Sequence, residues 1–549
     1  MHENVDVVVV GSSISGLMTA AWLKTKIETL SVVVIGPPVG EERRPIVGES
    51  LVEPAVLFFR ELGLGPYLDE RHEIKYGLTF YHKLSPRDPF DRRYTVHAPS
   101  EKLHHLSRQL HRPAFDCELA RLAASRGVRF VEGRVRDFTV GEDNAQHTVR
   151  GEGFSFSSRW LVDTTGRKRI IGRTVTKYER PELQRSAFWF RIRGFDPLLP
   201  TLQLSERRPV DYPLWKSTHH FMGQGNWIWG IPLKDDSGEP VLSMGITWRP
   251  DVFPADIRSI DDFVRWADAE HPAIADMVRS GEVLDTQRYR NYLYRAEQIY
   301  SPDGWFLIGD AARSVDPLYS TGLSMTAIQV EQVGELIRRE LAGAPVPADG
   351  VAALGGLWMT LADIRQDDIT DQYKTMDQPL QACLRRYWNL CAWFNALLPL
   401  WFNGYFVDPD AAVVLKRMFE ASRPGSRAAW RLFGQAAAAA GPELEQADFD
   451  RLVDFDWLIN RSFDCAPEHL PRTISRLPWK RACLRWNLLS MSGWQHLPGQ
   501  APHLLRELGT AALSRTLLFR LPALQGARRH LTLQPGPDGT LQPADTVLP

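Results

Sequence analysis

Cysteine is scarce in this chain of 549 residues: Cys117, Cys383, Cys391, Cys465 and Cys483 are the whole complement, and no two form a CxxC pair. The odd number and wide spacing indicate neither a zinc site nor a disulfide framework, and a reducing cytoplasm fits best. A surplus of either charge is also missing, because 65 Lys+Arg face 66 Asp+Glu for a formal net charge of -1. A nucleic-acid binder should carry a basic excess, so that class is set aside. No uninterrupted apolar run reaches the ~18 residues that cross a bilayer. The opening run Val5 to Val10 is too short for a signal peptide's core and flanks, and it leads directly into glycines. Internal repeats are absent. What the chain does have is length, enough for about three folding units, and tryptophan: 18 in all, half of them within residues 346 to 549. Indoles build cores, and they also line pockets for flat ligands.

Residues 5 to 35 follow the order strand, turn, helix, strand: apolar Val7 to Val10, the turn Gly11-Ser-Ser-Ile-Ser-Gly16, helical Leu17 to Leu23, and apolar Val32 to Ile35. This pattern predicts a βαβ unit. Gly11 and Gly16 allow a tight turn and close helix approach, and the helix N-terminus beyond them offers N–H groups and partial positive charge to a pyrophosphate. Ser13 stands where the fingerprint's middle glycine would be, and Gly36-Pro37 where an acidic residue would bind ribose. Gly11, Ser13 and Gly16 are the dinucleotide-binding candidates, with a generic strand-helix turn as the alternative.

Nearly three hundred residues later, Gly304 to Ala312 repeats the pattern as a short apolar strand ending in Gly309-Asp310. Flavoproteins commonly place such an aspartate on the ribityl chain. Between the two lie Arg112, then Phe115-Asp116 with a helix over Cys117 to Arg126, and the strand Trp160 to Asp163 running into Gly166-Arg167. In this order the four elements resemble an extended FAD site, which none would indicate alone.

Residues 185 to 295 alternate apolar and polar positions, as in Phe188 to Arg193 and Val241 to Trp248, and predict antiparallel strands roofing the flavin. From about residue 346 the periodicity becomes helical, punctuated at Pro424-Gly425, Gly441-Pro442 and Pro498-Gly499, and the tail from about Gln534 has a loosely ordered composition. The expected fold class is α/β: an FAD-binding βαβ (Rossmann-like) domain with an inserted antiparallel β-sheet substrate region and a mostly helical C-terminal domain. Residues 1–345 form the core, with flavin elements at 5–60, 105–175 and 300–345 and the substrate sheet at 75–100 and 180–297. The helical domain takes 346–549. Within it, the aromatic stretch 388–407 reads as a buried helix pair or a hydrophobic lid. The stretch 471–530, with ten Lys/Arg against Glu507, reads as a solvated face or a dock for an acidic carrier protein.

The segment Asn226-Trp227-Ile228-Trp229-Gly230-Ile231-Pro232 lies between the flavin elements and matches the WxWxIP motif of flavin-dependent halogenases. Tryptophans at i and i+2 of a strand share a face, and a plain packed aromatic pair would explain them too. The resemblance extends to Gly48-Glu49-Ser50, followed by Ile74-Lys75-Tyr-Gly-Leu-Thr-Phe80, and to Asp316-Pro-Leu-Tyr319-Ser-Thr321-Gly322-Leu323. It implies that Lys75 is the catalytic lysine, with Lys83 a surface residue, and that Trp227 and Trp229 separate flavin from substrate. It further implies that Ser50, Arg112 and Leu323 join Gly11, Ser13, Gly16, Gly309 and Asp310 in binding the cofactor, and that Thr321-Gly322 present N–H groups to a halide. A helix cap at Ser320 or Thr321 is the bland reading, and both readings can hold at once. Tyr319, in the substrate pocket, occupies the place of a glutamate in tryptophan halogenases, so the phenol/pyrrole-type branch is the better match.

The activity implied is halogenation of an electron-rich, phenol-like aromatic. FAD as FADH2, supplied by a separate flavin reductase, reacts with O2 and oxidises chloride or bromide to hypohalous acid, which Lys75 delivers. A lysine in a desolvated tunnel can lose basicity, and can act on hypohalous acid as a hydrogen-bond donor or as an amine. The substrate is a small aromatic, free or carrier-bound, and secondary-metabolite (antibiotic) biosynthesis is the setting; no metal is called for. An FAD-dependent aromatic monooxygenase of the same fold and a non-catalytic flavoprotein are the alternatives.

Overall fold

Val7 to Val10 sit at the centre of a parallel sheet because a strand covered on both faces has no polar side to present. The computed structural model describes residues 2–40, 46–83, 94–97, 107–142, 145–196, 212–440, 470–516, 521, 533–535 and 541–543. Strands Arg129–Glu132, Val32–Gly36, His2–Val10 and Phe154–Asp163 lie side by side in that order, all parallel. Trp305–Leu307 adds in parallel to the C-terminal end of Phe154–Asp163, whose N-terminal half pairs antiparallel with His147–Gly151. The βαβ unit is therefore joined in one sheet by the two distant segments expected to complete the flavin site. Helix Ile14–Lys26 packs against helices Arg112–Ser125 and Gly322–Leu341. The helix Arg112–Ser125 begins before the expected Cys117, because Pro113 is accommodated in the first helical turn, where no N–H is required.

The second sheet runs in the order Glu282–Tyr289, Ser186–Arg193, Pro240–Trp248, Asn226–Lys234, Thr218–Gly223, Leu78–Lys83, Tyr94–His97. Its pairings are antiparallel except that Thr218–Gly223 and Leu78–Lys83 run parallel. Both faces are buried. One packs Phe188, Phe190, Ile228, Met244 and Ile246 against helices Ile260–Glu270 and Pro272–Ser280. These two helices interrupt a segment that the alternating pattern assigned to strands; Ser259 caps the first by accepting from Asp262 N at 3.1 Å, and Pro272 opens the second. The other face carries Trp189, Trp227 and Trp229 against Leu318, Tyr319, Ile369, Tyr373 and Met376.

Beyond residue 345 the described chain is helical up to residue 516: Ala348–Gln372, Pro379–Ala392, a π-turn at Trp393–Leu397, Leu398–Phe402, Pro409–Ala440, Leu470–Ser492 and Leu497–Thr516. Helices on both sides of residue 345 contribute to the core around the parallel sheet, which includes Val330, Val333, Leu354 and Trp358. Pro424-Gly425 does not end a helix, as its composition suggested, but lies inside Pro409–Ala440. Proline supplies no N–H and disturbs the preceding turn, and two arginines from the basic stretch reach the carbonyls there. Arg485 Nη2 donates to Gly425 O at 2.5 Å and Arg506 Nη1 to Ala421 O at 3.3 Å. Pro498 and Pro502 likewise fall within Leu497–Thr516.

Gly441-Pro442, Cys465 and the side chain of Lys83 lie outside the described residues. In the tail, Leu533–Pro535 pairs antiparallel with Leu541–Pro543, and the rest lies outside the described residues. Among the described residues, Cys117, Cys383, Cys391 and Cys483 form no disulfide, and no helix is long and apolar enough to cross a membrane.

Candidate active site

The turn after the first strand is held so closely to Thr164 that only glycine fits. At Gly11 (φ 115°) an added Cβ would lie 2.7 Å from Thr164 O, and at Gly16 it would lie 2.0 Å from Gly11 O. Thr164 Oγ1 donates to Gly11 O at 2.8 Å. Ser13 does not cap the helix behind it; its hydroxyl donates to Thr164 O at 2.9 Å, so the first-turn amides have no side-chain cap and suit a phosphate. Serine in place of the fingerprint glycine thus has a defined bond. The missing ribose acid has a steric reason, since a Cβ at Gly36 would lie 2.6 Å from Ser12 Oγ. Asp310 is solvent-exposed beside the Gly166-Arg167 turn, and a Cβ at Gly166 would sit 3.8 Å from its own. Gly309 (φ 64°) lets this turn approach Ser15 in the first helix. These features fit FAD: a glycine cradle, an uncapped helix N-terminus, and an aspartate two strands away.

Arg112 joins two of the predicted elements. It is buried, binds Asp116 through Nε and Nη2 at 2.9 and 3.0 Å, and donates from Nη1 to the carbonyls of Val47 and Gly48. The guanidinium therefore fixes the Gly48-Glu49-Ser50 turn. Within it, Glu49 accepts from Ser243 Oγ at 2.7 Å, and burial pushes its carboxyl up to about 7. Ser50 faces the lysine.

Lys75, at the end of the short strand Glu73–Lys75, is 2% exposed. Its Nζ donates to Ser50 Oγ at 2.7 Å and to Leu51 O at 3.1 Å. The relay continues in one direction: Ser50 donates to Thr218 Oγ1 (2.9 Å), and Thr218 donates to Gln109 Oε1 (3.1 Å). Burial pulls the amine down to about 7, opposed by the nearby charge of Glu53. Glu53 is itself buried, which raises its pKa, and it accepts the indole N–H of Trp393 at 3.1 Å.

Trp227 and Trp229 share a face, as the i, i+2 spacing required, with ring centroids 5.7 Å apart. Trp227 Nε1 donates to Tyr373 OH at 2.9 Å, and Tyr373 donates to Asp316 Oδ2 at 2.6 Å. Arg185 Nε reaches the same oxygen at 2.9 Å, in an ion pair fully closed to solvent. The tryptophan pair is thus bonded to the start of the segment that carries Tyr319, Thr321 and Gly322. Tyr319 is buried in the same cluster, and its hydroxyl bonds the amide of Gln372 at 3.1 to 3.2 Å. Room for Trp229 comes from Gly245, directly opposite on the neighbouring strand, where a Cβ would fall 2.3 Å from the indole.

Thr321 and Gly322 begin a 20-residue helix, with Thr321 at the cap making no side-chain capping bond. An added Cβ at Gly322 meets no atom within 4 Å, so the helix end opens onto free space, and Leu323 packs half-buried against the main core. A helix N-terminus of this kind suits an anion. Thr321, Ser324, Met325 and Pro54 also line a cavity of about 410 Å³, whose remaining wall comes from the C-terminal helices and includes Trp388, Trp393, Trp401 and Trp430. Residues 388–407 are thus both a buried helical segment and part of a cavity wall. The basic stretch is partly internal: Arg485 is buried against Glu507 and Gln500.

Sequence reasoning did not single out Glu53, Gly245, Tyr373 or Trp393. Gly245 carried a signal, since an isolated glycine inside a strand marks a close approach. The other three owe their positions to contacts across long separations, which no local pattern encodes.

The family model described as tryptophan halogenase matches residues 87–346. The chain is 27% identical over 440 residues to the flavin-dependent halogenase chlA of Dictyostelium discoideum, covering 74% of this chain and 72% of that one. It is 27% identical over 360 residues to the 1H-pyrrole-2-carbonyl-[peptidyl-carrier protein] brominase of Pseudoalteromonas luteoviolacea, covering 62% and 79%. The fold is similar to the crystal structure of halogenase PltM in complex with phloroglucinol and FAD, with a TM-score of 0.64, 16% identity, and 87% and 96% of the two chains covered. With the glycine cradle and the ordered motifs now joined in one fold, the chain is similar to flavin-dependent halogenases over 74% of its length.

Proposed function

We propose that this enzyme halogenates an electron-rich, phenol-like aromatic, with Lys75 as the catalytic residue that positions hypohalous acid. FAD, bound in reduced form, supplies the oxidation of chloride or bromide by O2. The remaining work falls to the chain's own residues. Gly11, Ser13, Gly16, Ser50, Arg112, Gly309, Asp310 and Leu323 hold the cofactor, and Arg112 also clamps the turn that carries Ser50, the partner of the lysine. Thr321 and Gly322 hold the halide by the helix N-terminus. Trp227 and Trp229 form the partition that keeps substrate away from flavin, and Tyr319 backs the substrate side. Lys75, screened from water, donates a hydrogen bond to the hypohalous oxygen and steers the halogen toward the ring.

The observation that carries this reading is the burial of Lys75 on Ser50 Oγ and Leu51 O, in the turn clamped by Arg112. Burying an amine costs free energy that burying an apolar side chain does not, which favours a chemical role for this one. The cavity running from Thr321 into aromatic walls supports a flat apolar substrate. The substrate arrives free or on an acidic carrier protein, and a separate reductase supplies the reduced flavin. Assay of the FAD-loaded enzyme with a reductase, O2, bromide and a panel of phenols, indoles and pyrroles, read by product mass, tests the reading. A brominated phenol is the expected product; a hydroxylated, halogen-free product rejects it in favour of a monooxygenase. Lys75→Ala should retain flavin oxidation while halogenation falls at least about a hundredfold, and a fully active variant removes Lys75 from the mechanism.

A further inference from the structure

Among the described residues, five arginines but only three acids border the cavity beside Thr321, and the acids are already engaged. Asp367 pairs with Arg423 and Arg427, Glu507 pairs with Arg485, and Asp368 accepts from the side-chain amides of Asn389 and Gln372. Arg506 donates to Ala421 O. That leaves Arg365 and Arg481, for which no described residue serves as a hydrogen-bond or ion-pair partner. Each is set instead over an aromatic ring, Arg365 at 5.2 Å from the centroid of Tyr319 and Arg481 at 4.1 Å from that of Trp388. Trp388 is 2% exposed, so the Arg481 guanidinium sits over an interior ring. Its Nε is closed to water without a partner, whereas its two terminal nitrogens, equally unbonded, stay open to water. Their open side is the cavity, whose wall Arg481 and Trp388 share. Burial pulls the Arg481 pKa down, yet arginine keeps its charge. An interior cation without a counter-ion is costly.

We propose that Arg481 binds a carboxylate carried on the substrate's ring, so that the ligand class is a phenolic aromatic acid. The inference rests on the reading of this cavity as the substrate's and deepens it. The apolar walls take the ring, and the guanidinium takes its one charged group. A planar pair of N–H donors matches both oxygens of a carboxylate, which a lysine in the same place would not do. Indoles hold a ring without fixing its direction, so a single charged anchor decides which ring carbons are presented to the oxidant. Arg365 adds charge of the same sign from another part of the wall and strengthens the attraction from a distance.

Calorimetric titration of the FAD-loaded full-length protein with 4-hydroxybenzoate and with its methyl ester is the test, at about pH 7, where the acid is ionised and the phenol is not. The wild type should prefer the acid by about tenfold or more, the margin that a hydrogen-bonded charge pair provides. Arg481→Met should bring the two ligands within about twofold of each other. Arg472→Met removes an exposed arginine from the same helix and should leave the preference in place. Equal binding of the two ligands by the wild type, or no binding of the acid, overturns the proposal without any variant. It is overturned equally by an Arg481→Met protein with the preference intact, or by an Arg472→Met protein that loses it, since the general positive field would then be responsible. If the preference depends on Arg481 but the wild type gives a hydroxylated, halogen-free product, the halogenase reading fails and the anchor stands. If the wild type gives a brominated product but binds acid and ester equally, the anchor fails and the halogenase reading stands.

Discussion

The indole N–H of Trp393 donates to Glu53 Oε2 at 3.1 Å, and Glu53 is the carboxylate whose charge acts on Lys75. A residue from the aromatic C-terminal stretch therefore holds the counter-charge of a lysine more than three hundred positions earlier. Trp358 makes a second tie of this kind, donating to Met325 O at 2.8 Å just inside the helix that Thr321 and Gly322 begin. The C-terminal helices are built into both halves of the site.

The pH dependence of halogenation follows from the first of these ties. Burial pulls Lys75 down to about 7 and Glu53 opposes the shift. If the ammonium is the acting form, product formed per O2 consumed should fall as pH rises through about 7. Glu53→Gln removes the charge favouring the ammonium, so the fall should move to lower pH. Coupling yields with bromide and a phenol between about pH 5.5 and about pH 9 measure this, and a fall that stays in place separates Glu53 from the lysine.

Gly322→Ala tests the proposed halide site. The new methyl group meets no protein atom within 4 Å, and alanine is favoured over glycine in a helix. The melting temperature should hold or rise slightly. The KM for bromide should nevertheless increase, because the methyl group stands in the space before the helix N-terminus. A variant with an unchanged bromide KM places the halide elsewhere.

Gly245→Ala should disturb the Trp227–Trp229 pair, the proposed partition, without altering either indole. Its Cβ would lie 2.3 Å from the Trp229 ring, on a strand covered on both faces. Overpacking of this kind costs about 1–3 kcal/mol, measurable by urea denaturation. A displaced Trp229 should also lower the halogenated product formed per flavin oxidised, whereas stability lost with full coupling would show that the position of the ring is unimportant.

Arg185 and Asp316 are both 0% exposed, and breaking such a pair from one side is costly. Arg185→Met should lower the unfolding free energy by about 3–5 kcal/mol near neutral pH. Burial already raises the Asp316 carboxyl, and without the guanidinium the group protonates more readily. Below its raised folded value the folded state binds the extra proton, so the loss should shrink as pH falls. Arg185→Met/Asp316→Leu should cost less than the sum of the single changes, and additivity would show that the two side chains are independent.

Much of the flavin region was legible in the sequence because its signals are local: a valine run that must be buried, glycines where backbone approaches backbone, and a strand ending in Gly309-Asp310. The pairing of Trp227 with Trp229 was legible for the same reason, since strand geometry alone puts i and i+2 on one face. Where reading failed, a distant partner decided. Pro424 should break a helix and does not; Arg485 and Arg506 from another part of the chain donate to the nearby carbonyls of Gly425 and Ala421, contacts that no local pattern encodes. The alternation in 185–295 hides the helices at 260–280, although a capping serine and an opening proline mark their starts. The position of Glu53 beside Lys75 depends on a fold that brings residues 53, 75 and 393 together.

The wall of the 410 Å³ cavity is assembled from Pro54, the Thr321 helix start, the 361–368 turns, the 388–401 aromatics, the helix Pro409–Ala440 and the two last helices. No contiguous fragment of the chain owns that chamber. Grafting only the last two hundred residues onto a flavin-dependent halogenase would import most of the mould without its rim, and a transplanted substrate preference would come with them only if the Pro54 and Thr321 edges matched as well.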